Sequence, residues 1–127
     1  MKDKEGKALK NGAVAPKQPE EFTHMVTKLI EENPILLFTK TYCPYSKKLK
    51  KMFDEHLTKD EYHAFDIDKM KYGKGIHEAV TELTGRHSVP NVFIGGVNTG
   101  GDEETEALAA SGELKKMLDK LGLKNTF

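Results

Sequence analysis

The only cysteine of the sequence, Cys43, is the residue best suited to carry chemistry. It lies in the run Thr41-Tyr42-Cys43-Pro44-Tyr45-Ser46, between a short apolar stretch and a helical pattern. Pro44 suits the first position of a helix, where its missing N–H costs nothing. Cys43 then lies at the helix N-terminus, where free backbone N–H groups and the helix dipole favour a thiolate over a thiol. The sequence therefore predicts a reactive cysteine, the alternative being an inert buried thiol.

Five lysines surround this cysteine: Lys40, Lys47, Lys48, Lys50 and Lys51. Lysine in the first turn of a helix opposes the helix dipole, so helix stability does not explain the cluster. We expect Lys40 and Lys47 to act electrostatically near the thiolate. We expect Lys50 and Lys51 to belong to a solvated helix face.

The composition argues against several other kinds of site. One cysteine permits neither an intramolecular disulfide nor a zinc site built from cysteines. The five histidines lack metal-ligand spacing, so we expect no metal site: His24, His56, His63, His77 and His87. Twenty Lys and Arg balance twenty Asp and Glu, which argues against nucleic-acid binding through a broad basic field. No apolar run approaches the ~18–20 residues that span a bilayer, so we expect no membrane contact by this chain.

Apolar periodicity predicts one α/β domain over residues 19–127, preceded by a mobile tail over residues 1–18. The expected order is helix 19–33, strand 35–39, helix 44–57, strand 62–67, a helix around 76–83 that ends at Gly85, a hairpin over 91–99, and helices 102–110 and 112–121. The two early strands imply parallel crossovers, and the closing hairpin makes the sheet mixed. We therefore expect a four-stranded mixed sheet flanked by helices on both faces. Sites in such sheets lie beyond the carboxyl ends of strands, which is where Cys43 falls.

Three motifs, in this order along the chain, resemble those of the glutaredoxin family. They are Cys43-Pro44-Tyr45-Ser46, Ser88-Val89-Pro90 and Gly100-Gly101-Asp102-Glu103, and the resemblance covers about residues 20–122. It implies a thioredoxin-like fold, glutathione as co-substrate and thiol–disulfide oxidoreductase activity. Ser46 stands where dithiol members have a second cysteine, which implies a monothiol form. Because Pro44-Tyr45 is retained, that form is closer to the CPYC class than to the CGFS class; an engineered Cys→Ser change at position 46 stays an alternative.

The resemblance also implies a glutathione site. Its residues would be Lys40, Tyr45, His77, Ser88, Val89, Pro90, Gly101, Asp102 and Glu103. A cis Val89–Pro90 bond would expose the Val89 backbone to the cysteinyl unit of glutathione; the alternative is an ordinary proline at a strand start. The N–H groups of Asp102 and Glu103, at a helix N-terminus, would hold the γ-glutamyl carboxylate, and their side chains could also be helix caps.

Two further side chains are expected to meet the glycyl carboxylate of glutathione. Lys40 matches a lysine of the family in this role. His77 departs from the family, because many relatives have a glutamine there, although histidine can still donate a hydrogen bond. Tyr45 is expected to pack over the ligand, the alternative being an exposed position on the helix.

The resemblance thus implies an enzyme that reduces glutathione mixed disulfides of proteins and small molecules through Cys43, acting as a monomer. The rival hypothesis is a dimeric module in which two Cys43 thiolates and two glutathiones hold a [2Fe–2S] cluster. A lone thiolate suits a reducing compartment such as the cytoplasm. However, the CPYS motif followed by Lys47-Lys48 also resembles fungal glutaredoxins of the secretory pathway, whose membrane anchor would have been removed from this chain.

Overall fold

The computed structural model describes residues 16–58 and 61–127. Its helices and strands follow the predicted order: α1 Pro19–Glu32, β1 Ile35–Thr39, α2 Pro44–His56, β2 His63–Asp66, α3 Gly73–Thr84, β3 Asn91–Ile94, β4 Val97–Gly100, α4 Asp102–Ser111 and α5 Glu113–Lys120. A 3-10 turn, Ile67–Lys69, follows β2. Within the described residues, no helix is both long and apolar enough to span a membrane.

The four strands form one mixed sheet in the order β2-β1-β3-β4. β1 pairs in parallel with β2 and antiparallel with β3, which in turn pairs antiparallel with β4. All five residues of β1 are buried, because this strand has a neighbour on each edge and helices on each face. The predicted sheet is confirmed.

Alternate residues of β1 divide the core into two layers. Leu36 and Phe38 pack in a cluster with α1 and α3, whereas Ile35 and Leu37 pack in a cluster with α2 and α5. This division follows from the alternation of side chains along a strand. It places helices on both faces of the sheet, as predicted.

Most of the predicted N-terminal tail, residues 1–15, lies outside the described residues. Its last two residues, Lys17 and Gln18, directly precede α1, and their N–H groups both donate to the Glu21 carboxylate, at 2.8 and 2.9 Å. The helix ends at Asn33, whose N–H donates to the Leu29 carbonyl before Pro34 stops the pattern.

Hydrogen bonds between side chains join the carboxyl ends of β1 and β2. The Thr39 hydroxyl donates to Asp66 Oδ1 at 2.7 Å, and Lys50 Nζ donates to the same oxygen at 2.8 Å. The side chains of Lys50 and Asp66 are both about three-quarters buried. The expectation that Lys50 forms part of a solvated face was therefore wrong, because its amine reaches back from α2 to a carboxylate at the end of β2.

Candidate active site

Cys43 is the N-cap residue of α2, and Pro44 occupies the first helical position. The Cys43 N–H donates to the Lys40 carbonyl at 3.2 Å, which closes a tight turn between β1 and α2. The thiol is partly exposed, and it donates to the Val89 carbonyl oxygen, with Sγ 3.8 Å away. The predicted position of the cysteine at a helix N-terminus is confirmed.

The surroundings of Cys43 favour its thiolate. Burial raises the pKa of the thiol, but hydrogen bonds from the Ser46 hydroxyl and from the N–H groups of Ser46 and Tyr45 lower it by more. The positive charge of Lys40 lowers the pKa further, so that it lies below the ordinary value. Lys40 thus acts on the thiol in the expected direction, whereas Lys47 is not among the causes of this shift.

Ser46 is the residue whose role the sequence analysis missed. Its side chain is fully buried under the first turn of α2. Its Oγ accepts a hydrogen bond from the Lys40 N–H at 3.3 Å, and hydrogen bonding of its hydroxyl to the Cys43 sulfur lowers the pKa of that thiol. The spacing from Cys43 to Ser46 is i, i+3, which places both on one helix face and could have indicated this contact.

A second contact holds the loop before Cys43. The Thr41 N–H donates to Asp68 Oδ1 at 3.0 Å, and the Thr41 hydroxyl donates to the other oxygen of the same carboxylate. These bonds hold the pKa of Asp68 below its usual range. The loop is thereby fixed to the 3-10 turn after β2.

The Ser88-Val89-Pro90 segment faces the cysteine, as the resemblance implied. The Val89–Pro90 peptide bond is cis. Pro90 is buried, Val89 is half-buried and Ser88 is exposed. The carbonyl of Val89 therefore lies beside the Cys43 thiol.

The Gly100-Gly101-Asp102-Glu103 segment leads from β4 into α4, with Gly101 as the N-cap. Glu104 Oε1 accepts the Gly101 N–H at 3.0 Å, and Glu104 Oε2 accepts a hydrogen bond from Arg86 at 3.3 Å. A Cβ on Gly101 would meet the guanidinium of Arg86, so a larger residue at this position would require the arginine side chain to move. The N–H groups of the first turn, including those of Asp102 and Glu103, have no acceptor within the helix. They form a potential anion site.

The side chain of Asp102 is not a helix cap. Only 6% of the residue is exposed, and its Oδ1 has no hydrogen-bond partner among the described residues. Burial raises its pKa to about 6, together with a hydrogen bond to the Glu106 carboxylate and the charge of that group. Lys48 Nζ lies 3.3 Å from Glu106, so the cluster joins α2 to α4.

His77 is engaged differently from the expectation. Its Nε2 lies 2.6 Å from the His87 carbonyl oxygen, and the two imidazole rings stack with centroids 4.2 Å apart. Burial lowers the pKa of His77, and the charges of His87 and Lys40 add to this effect, although the bond to the His87 carbonyl opposes it. The donor that the resemblance assigned to the glycyl carboxylate is therefore bonded to another part of the chain.

Two tyrosines flank the cysteine on the surface. Tyr42 and Tyr45 are 66% and 62% exposed. Lys40 Nζ lies 5.9 Å from the centre of the Tyr42 ring, within the range of a cation–π contact. Tyr45 is free to pack over a ligand at Cys43. No group of three or more metal-ligating side chains occurs among residues 16–58 and 61–127.

The sheet and the thiolate at a helix N-terminus define an oxidoreductase of the thioredoxin-like fold. The family model of glutaredoxin matches residues 35–98. Monothiol glutaredoxin-S6 of Oryza sativa subsp. japonica is 36% identical over 106 residues, which cover 84% of this chain and 77% of that protein. Glutaredoxin-C4 of Arabidopsis thaliana is 41% identical over 78% of this chain and 72% of its own length. The chain belongs to the glutaredoxin family.

Solved structures agree with this assignment. The crystal structure of a buckwheat glutaredoxin–glutathione complex superimposes with a TM-score of 0.78 at 32% sequence identity, covering 86% of this chain and 99% of that one. Reduced glutaredoxin C1 from Populus tremula x tremuloides gives a TM-score of 0.77 at 27% identity, covering 84% of this chain and 89% of that one.

Replacing Ser46 by alanine should make Cys43 less acidic. The substitution removes the hydroxyl that donates to the thiolate, and a hydrogen bond to a charged group is worth on the order of 1.5 kcal/mol or more. We expect the inflection of the iodoacetamide alkylation rate to move to higher pH, and the rate at pH 6 to fall roughly tenfold. Ser111→Ala, at an exposed serine at the end of α4, is the control. An unchanged inflection in Ser46→Ala would contradict the assigned contact.

Replacing Asp102 by asparagine should stabilise the fold at neutral pH. Because the folded-state pKa of Asp102 lies at about 6, above its ordinary value of 3.8, the folded state binds the proton more tightly. The resulting stability is fully present below pH 4 and is lost as the pH rises through 6. Asp102→Asn should therefore raise the free energy of unfolding at pH 7 by about 1–2 kcal/mol and flatten its decline between pH 4 and 6.

Urea unfolding at several pH values measures this effect. Glu103→Gln removes the same charge from an exposed neighbour in the same helical turn, so it serves as the matched control. A change in stability that is equal at pH 4 and pH 7 would show that Asp102 does not titrate as described.

Proposed function

We propose that this chain reduces glutathione mixed disulfides by a monothiol mechanism through Cys43. The observation that carries the proposal is the partly exposed Cys43 at the N-terminus of α2, with a thiol pKa below its ordinary value. The side chain that contacts its sulfur from the same helix face, Ser46, offers a hydroxyl and not a second thiol. The membership of the glutaredoxin family and the glutathione complex of the buckwheat relative support this proposal.

In the first step, the Cys43 thiolate attacks the glutathionyl sulfur of the substrate. The disulfide bond of the substrate breaks, its electron pair leaves with the substrate sulfur, and that thiolate then takes a proton from water. A new disulfide joins Cys43 to glutathione. The substrate has been reduced to its thiol form.

In the second step, the thiolate of another glutathione attacks the glutathionyl sulfur of this intermediate. The bond to Cys43 breaks, and its electron pair returns to the Cys43 sulfur as a thiolate. Glutathione disulfide leaves. Overall, one mixed disulfide and one glutathione give one substrate thiol and one glutathione disulfide, so the atoms and electrons balance.

Ser46 decides which of two routes the intermediate follows. A cysteine at this position would attack the Cys43 disulfide from the same helix face. The Ser46 hydroxyl does not form a disulfide, so the intermediate is resolved by a second glutathione. The same hydroxyl stabilises Cys43 as a leaving thiolate, because it donates a hydrogen bond to that charge.

Glutathione would be held at three places around Cys43. The Val89 backbone, beside the thiol, would pair with the cysteinyl unit. The free N–H groups at the start of α4 would hold the γ-glutamyl carboxylate, since a helix N-terminus favours anions. The Lys40 ammonium, next to the cysteine turn, would meet the glycyl carboxylate. The His77 imidazole would join Lys40 only after breaking its bond to the His87 carbonyl.

A coupled assay with a glutathionylated peptide, glutathione and a glutathione-disulfide reductase tests the proposal. We expect turnover by the wild type and none by Cys43→Ser. Lys40→Ala should lower kcat/KM by roughly 5–150-fold, since it removes a charge-assisted bond worth about 1–3 kcal/mol. Lys28→Ala, at an exposed lysine of α1, is the control and should retain full activity. Wild-type protein without turnover would refute the function, and full activity of Lys40→Ala would refute the placement of the ligand.

Anaerobic reconstitution separates the enzyme from the rival cluster module. Each chain supplies one thiol, so a [2Fe–2S] cluster would need two chains and two glutathiones. Pro44 fixes its own backbone angle and removes one N–H, so the turn at Cys43 should resist the adjustment that a bridging cluster requires. After incubation with iron, sulfide and glutathione, we expect a colourless monomer by size-exclusion chromatography. A brown dimer with weak reductase activity would favour the rival hypothesis.

A further inference from the structure

The five lysines around Cys43 fall into two groups by what they contact. Lys48 and Lys50 pair with carboxylates, at 3.3 Å from Glu106 and 2.8 Å from Asp66. Lys40, Lys47 and Lys51 have no ion-pair partner among the described residues. Two lysines therefore join α2 to the rest of the fold, whereas three leave their charge on the surface.

Lys47 and Lys51, the two lysines of α2 without an ion-pair partner in the part of the chain that the structure describes, lie in line with the reactive cysteine. Cys43, Lys47 and Lys51 follow one another at intervals of four residues, which places them on the same face of the helix. Both lysines are exposed, and the row extends over about 12 Å from the thiol. Tyr42 and Tyr45, close to Cys43 in the chain, also have exposed rings.

This concentration of charge is local. The whole chain has no net charge, yet residues 40–53 contain five lysines and no acidic residue. Like charges that lack partners repel one another, and an acidic partner would relieve this repulsion and be steered toward the thiol. The two tyrosines add exposed aromatic area of the kind enriched at protein interfaces.

We infer that Lys40, Tyr42, Tyr45, Lys47 and Lys51 form a docking surface for protein substrates with Asp or Glu beside their glutathionylated cysteine. This inference rests on the proposed function, and it narrows the substrate class. Lys47 and Lys51 would contact the flanking carboxylates, while Cys43 attacks the glutathionyl sulfur as described above. Charges at the rim of an interface act mainly on the rate of association, so KM should depend on them more than kcat.

Two glutathionylated peptides of equal length test the inference. They differ only in the residues beside the cysteine, which are Asp and Glu in one and Asn and Gln in the other. We expect the first step, followed by stopped flow, to be roughly 3–10-fold faster with the acidic peptide at low salt. The difference should disappear near 0.5 M salt, where the screening length falls to a few ångströms.

The double variant Lys47→Gln/Lys51→Gln should lose this preference. Its rate with the neutral peptide and the pKa of Cys43 should remain those of the wild type. The matched control, Lys28→Gln/Lys124→Gln, changes net charge equally but at exposed sites distant from Cys43, one on α1 and one after α5. The control should retain the preference for the acidic peptide.

Each result bears on one of the two hypotheses. Equal wild-type rates with both peptides at low salt would overturn the docking surface and leave the proposed function intact. Reduction of neither peptide would overturn the proposed function itself. If the Lys47→Gln/Lys51→Gln variant slows both peptides equally, the lysines act on glutathione or on the thiolate, and the inference is wrong.

Discussion

The active site depends on the hydrogen bonds of one buried group, the Ser46 hydroxyl. It accepts the N–H of Lys40 at the end of β1 and donates to the sulfur of Cys43 at the start of α2. One side chain thus joins the strand to the helix and stabilises the charge of the nucleophile. The backbone of Lys40 and the turn at Cys43 keep their relative positions because both contact this hydroxyl.

Some charged side chains around the site form ion pairs within the fold, and others are exposed to solvent. Lys50 neutralises Asp66 beneath the loop, and Lys48 neutralises Glu106 between α2 and α4. The first pair joins α2 to the end of β2, and the second joins α2 to α4. The remaining lysines keep their charge at the surface, where it is available to a partner. Two lysines of α2 therefore form ion pairs within the fold, and the other two belong to the proposed docking surface.

The sequence predicted the fold well because the fold depends on local patterns. The apolar run of β1, the prolines at positions 19, 34 and 44, and Gly85 at the end of α3 each act within a few residues. The positions of Cys43 and of the Val89 backbone followed from the motifs. The contacts Thr41–Asp68, Lys50–Asp66 and His77–His87 were not predicted, because they join residues 10 to 27 positions apart through the tertiary fold. No periodicity encodes which carboxylate a lysine will meet.

The contact between Arg86 and Gly101 couples two parts of the binding site. Arg86 lies in the loop that leads to Val89, and its guanidinium contacts Gly101 and donates to Glu104, whose carboxylate accepts the Gly101 N–H. The spacing between the Val89 backbone and the α4 N-terminus is thereby set in the protein alone. Under the proposed function, two anchors held at one spacing would favour a peptide of matching length, because little further ordering of the protein would be needed to bind it. A peptide one residue longer or shorter would leave one of its ends without its partner.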